Sequence, residues 1–256
     1  MLKIKFIGTG SAKASLKRNF TSLLIQTSNE NILMDCGEGI SKALLQQNID
    51  MNFIDKIIIS HLHSDHFAGL AGLLTNFKLL GRIKPVRIIT HKSNLPFIKN
   101  FLFSSFIIPE RMNYEIEFED FDYEKDIILT DDLKFLTKQN SHLSKYQIHQ
   151  ENYNLSLASP SFLFTYANKN IIFTSDIGSV DNLLLFSEPV DILICEITHI
   201  YMAELVEVLQ KLKPSETYLI HIPDEKEKEI LDFLSTHDSE FGNTFLTYDG
   251  FEISVP

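Results

Sequence analysis

The chain has 256 residues, 44% of them hydrophobic, with 20 Phe and no Trp, enough apolar material for one substantial α/β domain spanning residues 1–256. No stretch approaches the roughly 18 consecutive apolar residues of a membrane span, and residues 1–8 alternate like a strand instead of carrying a signal-peptide core, so a cytoplasmic protein with no membrane partner is expected. The net charge of −11 is uneven, since residues 1–100 carry 13 Lys/Arg against 6 Asp/Glu and residues 101–256 carry 10 against 28; the acidic second half is ill suited to wrapping a long polyanion, while the basic first half suits a small anionic substrate.

In chain order, strand patterns run over 2–7, 21–26 and 31–35, followed by a helical pattern over 39–47, a strand over 56–60 and a helix over 67–80. A strand over 86–90 leads to a helix over 94–104 with Pro96 in its first turn. The apolar stretch 94–109 reads as a core helix. Residues 114–124 alternate apolar with acidic residues, the pattern of an edge strand with one wet face. Strands then follow over 114–119, 133–138, 161–167 and 170–175, a helix over 180–186, and a strand over 191–196. A helix over 201–212 is closed by Pro214; a strand over 217–221, a helix over 224–235 and a hairpin over 244–254 around Asp249-Gly250 complete the chain. Strands outnumber helices and the two mix throughout, which points to two packed sheets with helices outside. Two cysteines, Cys36 and Cys195, make no disulfide framework and read as buried small residues.

The chemistry concentrates at residues 60–66, Ser60-His61-Leu62-His63-Ser64-Asp65-His66, directly after the apolar run Ile57-Ile58-Ile59. Three imidazoles and a carboxylate at the end of a strand supply the ligands that suit zinc and similar divalent metals, in the place where an open sheet presents its functional loops. Asp35, ending the run Ile32-Leu33-Met34, is a candidate acceptor for the outer nitrogen of a ligating imidazole.

This HxHxDH segment resembles the signature of the metallo-β-lactamase superfamily. The resemblance implies a four-layer αββα sandwich, an α/β (α+β) class, and two divalent ions, zinc with manganese or iron as alternatives. His61 and His63 would grip one ion, Asp65 and His66 the other. His142, in Gln139-Asn140-Ser141-His142 after a strand, falls where the superfamily places its third imidazole; His149, seven residues on, lies in a less regular stretch. Asp176, in Ser175-Asp176-Ile177-Gly178, resembles the bridging aspartate, and His221, after Tyr218-Leu219-Ile220, resembles the last ligand. His91 and His237 have no such placement and read as surface or structural histidines.

The segments Gly8-Thr9-Gly10-Ser11, Lys17-Arg18-Asn19, Asp35-Cys36-Gly37-Glu38-Gly39 and His66-Phe67-Ala68-Gly69-Leu70 further resemble the ribonuclease Z family and its phosphodiesterase relatives. That family has a His-Glu-Ala-Thr motif whose Glu works with a downstream His on the leaving group. Here the segment reads Cys195-Glu196-Ile197-Thr198, and His199 lies 22 residues before His221. The resemblance makes Lys17 and Arg18 candidate phosphate contacts. It also shows departures. Only 33 residues separate His142 from Asp176, with no basic cluster in 143–170, where the family inserts a long basic arm that clasps tRNA.

The expectation is a dinuclear metal hydrolase that cleaves a small or cyclic phosphodiester through a metal-bridging hydroxide. Asp65, Glu196 and His199 are its catalytic groups, Asp65 being also a ligand. Three alternatives remain: a tRNA 3′-processing ribonuclease, favoured if Lys78, Arg82, Lys84 and Arg87 form a basic stripe; a carbon-ester, lactone or thioester hydrolase; and a non-catalytic metal-binding module. RNA is not the favoured partner, and a homodimer is implied by resemblance alone.

Overall fold

The computed structural model describes residues 1–237 and 241–256. It divides into two compact units, residues 1–122 with 248–256, and residues 123–247.

The first unit is a seven-stranded mixed sheet. In chain order its strands are β1 (Leu2–Gly8), β2 (Ser22–Gln26), β3 (Asn31–Met34), β4 (Lys56–Ile59), β5 (Val86–His91) and β6 (Ile116–Phe121), and the C-terminal strand Glu252–Val255 pairs with β1. Pairing is antiparallel from the C-terminal strand to β3 and parallel from β3 to β6. The centre of the parallel half, Lys56-Ile57-Ile58-Ile59, is buried throughout, which is why it reads as a continuous apolar run and not an alternation. Helices α1 (Ile40–Gln46), α2 (Ser64–Phe67), α3 (Leu70–Leu79) and α4 (Leu95–Ser104) follow. Leu70, Leu73, Leu74 and Phe77 recur at i, i+3, i+4 and i+7 and join Ile98, Leu102, Ala43 and Leu44 in the core against Ile57, Ile59 and Ile88. Each such side chain is worth roughly 1.5–3 kcal/mol when fully buried.

The second unit repeats the pattern. Its strands are β7 (Ile127–Ile128), β8 (Leu133–Gln139), β9 (Pro160–Tyr166), β10 (Lys169–Phe173), β11 (Ile192–Glu196), β12 (Glu216–Ile220) and β13 (Thr244–Leu246), in sheet order 13-12-11-10-9-8-7. β7 to β10 pair antiparallel and β10 to β13 parallel. α5 (Gln150–Tyr153), α6 (Met202–Leu212) and α7 (Glu227–Thr236) complete it; Leu205, Val208, Leu209 and Ile230 pack with Leu193, Cys195 and Leu219 in a second core. Among the described residues, no helix is long and apolar enough to cross a membrane.

Several elements differ from the sequence reading. The expected hairpin over 244–254 does not form: β13 pairs in parallel with β12 while Glu252–Val255 pairs with β1 in the other sheet. Asp249 is engaged elsewhere, accepting from Thr9 N (2.9 Å), Thr9 Oγ1 (2.8 Å), Asn19 N (2.6 Å) and Asn19 Nδ2 (2.8 Å). The helix expected over 67–80 is shortened to α3, which starts after Gly69, and α2 precedes it as a separate turn that ends at Phe67; a Cβ on Gly69 would strike the Gly37 carbonyl. The helix expected over 180–186 is the shorter 3₁₀ turn Val180–Leu184. β6 is a sheet edge, as the acidic alternation anticipated.

Candidate metal-binding half-sites

Most of the polar residues of interest follow the C-terminal ends of strands with a parallel neighbour, where ligands bind in open α/β sheets; His142 instead follows β8, which is antiparallel to both of its neighbours. Three of these junctions hold a non-glycine residue in the left-handed region: Asp35 after β3 (φ 59°), Ser175 after β10 (φ 51°) and His221 after β12 (φ 55°). Such a conformation costs of order 1–3 kcal/mol and persists where surrounding contacts enforce it.

In the first unit, His61, Asp65 and His66 are buried and His63 is half-buried. The ligand-capable atoms of His61 and His63 lie within 4.8 Å of one another, as do those of Asp65 and His66. Asp35 organises them. Its Oδ1 accepts from Ser60 N (2.7 Å), and its Oδ2 accepts from Ser60 Oγ (2.8 Å) and from His66 Nδ1 (2.8 Å). Because the Ser60 hydroxyl proton goes to Asp35, its oxygen takes the Nδ1 proton of His61 at 3.0 Å. One carboxylate therefore fixes two imidazoles with Nδ1 protonated and Nε2 turned to an incoming ligand. The loop is locked by backbone contact: Cys36 N donates to His66 O (2.7 Å) and Gly69 N to Cys36 O (3.0 Å). A Cβ on Gly37 would strike the Asp65 carbonyl, which explains the glycine in Asp35-Cys36-Gly37.

In the second unit, His142, Asp176 and His221 are all buried. Asp176 Oδ2 stands 3.6 Å from His142 Nε2 and 3.3 Å from His221 Nε2. Glu196, fully buried at the end of β11, accepts from four donors: Ile177 N (3.3 Å), Thr198 N (2.7 Å), His199 N (3.1 Å) and His199 Nδ1 (3.0 Å). The His199 ring lies 4.8 Å from that of His142 and 6.0 Å from that of His221. Burial disfavours its charged form, but the hydrogen bond and charge of Glu196, joined by Asp176 and opposed by Lys145, leave His199 more basic than an ordinary histidine. Thr198 Oγ1 donates to the carbonyl of His221, tying this segment to the loop that carries His221.

The remaining candidates separate clearly. His149 is exposed beside Tyr153, whereas His142 is buried. His91 accepts from Ser93 N and packs edge-on against Phe121, and His237 stacks on Phe233. Lys17 is exposed, while Arg18 is buried with Nη1 donating to Thr9 Oγ1 at 2.6 Å. Cys195, in place of the family's histidine, is a buried thiol pushed well up by burial and by Glu196, and Cys36 behaves likewise. Ser60, Asn140 and Asn182, which carry many of the local hydrogen bonds, were not singled out by their residue type; the spacing of Asn140, two residues before His142, was the available signal.

Buried imidazoles beside carboxylates are the donor set of a zinc, manganese or iron site, since neutral His and ionised Asp bind such ions and are costly to bury otherwise. The residues of each half-site fit a divalent ion on this ground.

Comparison with known proteins gives the wider setting. Ribonuclease Z of Saccharolobus solfataricus is 36% identical over 121 residues, 47% of this chain and 40% of that protein, so the match spans less than half of that relative. The metallo-β-lactamase fold protein YhfI from Bacillus subtilis superposes with a TM-score of 0.77 at 17% identity, over 98% of each chain. Zn(2+)-bound PqqB from Methylobacterium extorquens does so with a TM-score of 0.74 at 10% identity, over 99% of this chain and 100% of that one. These likenesses show the metallo-β-lactamase fold, the αββα class expected from the sequence. The family described as Anti-Pycsar protein Apyc1 matches residues 2–241, and the chain belongs to it.

Proposed function

We propose that the protein is a metal-dependent hydrolase that cleaves a small or cyclic phosphodiester in the cytoplasm. On this reading His61, His63 and His142 would hold one divalent ion and Asp65, His66 and His221 a second, with the Asp176 carboxylate serving to offset their charge. Bound there, the ions supply an activated water and neutralise charge on phosphorus-bound oxygens. The protein's own part is directional. Asp35 holds His66 directly, and His61 through Ser60, in the Nε2-presenting tautomer, and the Glu196-paired imidazolium of His199 gives its proton to the departing alkoxide.

The observation that carries the reading is the Glu196–His199 pair, 3.0 Å apart with the imidazole ring beside His142. Hydrolysis of a carbon ester has less need of such a donor, because an alkoxide leaves a tetrahedral carbon more readily than it leaves phosphorus. The RNA alternative loses its basic stripe. Arg82 is buried, donating to the carbonyls of Lys84, Asn52, Ile54 and Pro85; Lys84 pairs with Asp55, and Arg87 with Glu117 and Glu119. Cations committed in this way release few counterions from a polyanion.

The test reconstitutes the protein with zinc or manganese and compares hydrolysis of a cyclic nucleotide, an activated phosphodiester and an activated carboxylic ester, with and without His199→Ala. Turnover of the cyclic nucleotide that falls by about 10²–10⁴ in the variant, with a smaller fall for the activated phosphodiester whose leaving group needs no proton, is expected. Preference for the carboxylic ester, indifferent to His199, would overturn the reading.

A further inference from the structure

The second unit holds two asparagines that no ligand or proton-transfer role claims, and they grip the same pair of loops. Asn140 is buried, and its side chain makes three hydrogen bonds. Its Nδ2 donates to the Asp176 carbonyl (2.9 Å) and to Ser161 Oγ (3.2 Å), and its Oδ1 accepts from His142 N (3.0 Å). The orientation of the amide is fixed by chemistry, because a backbone N–H must face oxygen and a carbonyl must face NH₂. Ser161 Oγ passes the chain on to the Thr174 carbonyl (2.7 Å), and Thr174 Oγ1 accepts from Glu196 N (3.1 Å). Asn182, in the 3₁₀ turn after Asp176, contributes a single oxygen that accepts from Ser141 N (3.2 Å), Ser141 Oγ (2.8 Å) and Gly178 N (3.0 Å). A Cβ on Gly178 would stand 2.5 Å from Ser141 Oγ, so the glycine lets the loops close to this distance.

We propose that Asn140 and Asn182 form an amide clamp that sets the spacing of His142 and Asp176, making both positioning residues of the metal centre. The proposal rests on the assignment of His142 and Asp176 as ligands. Asn140 acts on the inner side, tying the backbone of one ligand to that of the other and, through Ser161 and Thr174, to the strand end carrying Glu196. Asn182 closes the outer side. A carboxylate in place of Asn140 keeps the acceptor for His142 N but turns an oxygen against the Asp176 carbonyl, prying the two loops apart without changing side-chain volume.

The test measures metal affinity by competition with a chromophoric chelator, together with the visible absorption of the cobalt(II)-substituted protein. It compares the wild type, Asn140→Asp, Asn182→Ala and the control Asn170→Ala. Asn170 bonds the Pro189 carbonyl (2.9 Å) at the far end of β10, so its loss lowers stability without touching the clamp. The expected result is affinity about 10- to 100-fold weaker in each clamp variant, with an altered cobalt spectrum, and no change of either in Asn170→Ala. Clamp variants that unfold more easily yet bind metal with wild-type affinity and spectrum would overturn the proposal while leaving the ligand assignment intact. A wild-type protein that takes up no metal would overturn both.

Discussion

Replacing Glu196 with Gln isolates the contribution of one carboxylate to the proton donor. Glu196 is fully buried and receives four N–H groups, one of them His199 Nδ1 at 3.0 Å. The amide keeps the shape and one acceptor but loses the charge, and its NH₂ must face donors. A hydrogen bond to a charged group is worth about 1.5–3 kcal/mol, which corresponds to a loss of about 10- to 150-fold in kcat if it is felt fully at proton transfer. The pH dependence gives the sharper readout. His199 is raised by Glu196 against burial; with its protonated form as the active one, as the proposed function requires, activity falls as pH rises through its pKa. Without the carboxylate, burial dominates, the pKa drops, and the fall begins at lower pH. The assay is the rate–pH profile of kcat for a cyclic phosphodiester, measured for the wild type and Glu196→Gln at saturating metal. A variant whose rate falls but whose basic limb stays in place would refute the assigned role, because the carboxylate would then be holding a loop and not a proton.

Ser60→Ala should break the relay from Asp35 to His61 Nδ1 while sparing the direct Asp35–His66 bond; metal affinity about 10- to 100-fold weaker is expected by chelator competition, with partial recovery in Ser60→Thr. Arg82→Leu leaves four carbonyls without this donor, that of Ile54 through a fully buried bond, and removes the guanidinium 4.7 Å over the Phe77 ring; a loss of about 1–3 kcal/mol, the cost of one buried group left unsatisfied, should appear in denaturant unfolding, with kcat of the remaining folded protein unchanged. Gly37→Ala forces a methyl onto the Asp65 carbonyl and should abolish metal uptake even in protein that still folds, as read by bound metal per chain.

The parts of this molecule that were legible in the sequence share a physical cause. Ile57-Ile58-Ile59 announces a doubly buried parallel strand because both faces are covered, and the imidazoles directly after it have to lie at that strand's end. Asp35 was legible for the same reason. What escaped was written in contacts between residues distant in the chain. Nothing near Asp249 shows that its carboxylate will be consumed by Thr9 and Asn19, 240 and 230 residues away, and Asp-Gly flanked by apolar runs has the local form of a hairpin. Lys78, Arg82, Lys84 and Arg87 read as a stripe when only their spacing is known. The ion pairs and carbonyl bonds that consume Arg82, Lys84 and Arg87 come from β6 and the segment 52–55, and for Arg82 also from the neighbouring carbonyls of Lys84 and Pro85.

The same distinction explains where the sites sit. Three strand ends that carry donor groups pass through a left-handed turn: Asp35 in the first half-site, Ser175 and His221 in the second. Left-handed φ is uncommon outside glycine, though aspartate and histidine adopt it more readily than serine. It is enforced by bonds that cross to other strands, such as Ser60 to Asp35 and Thr198 to the His221 carbonyl. Metal-binding residue types can therefore be read from one segment, but their aim depends on residues such as Ser60, Asn140 and Asn182, whose identity becomes informative only once the strands that they connect are adjacent.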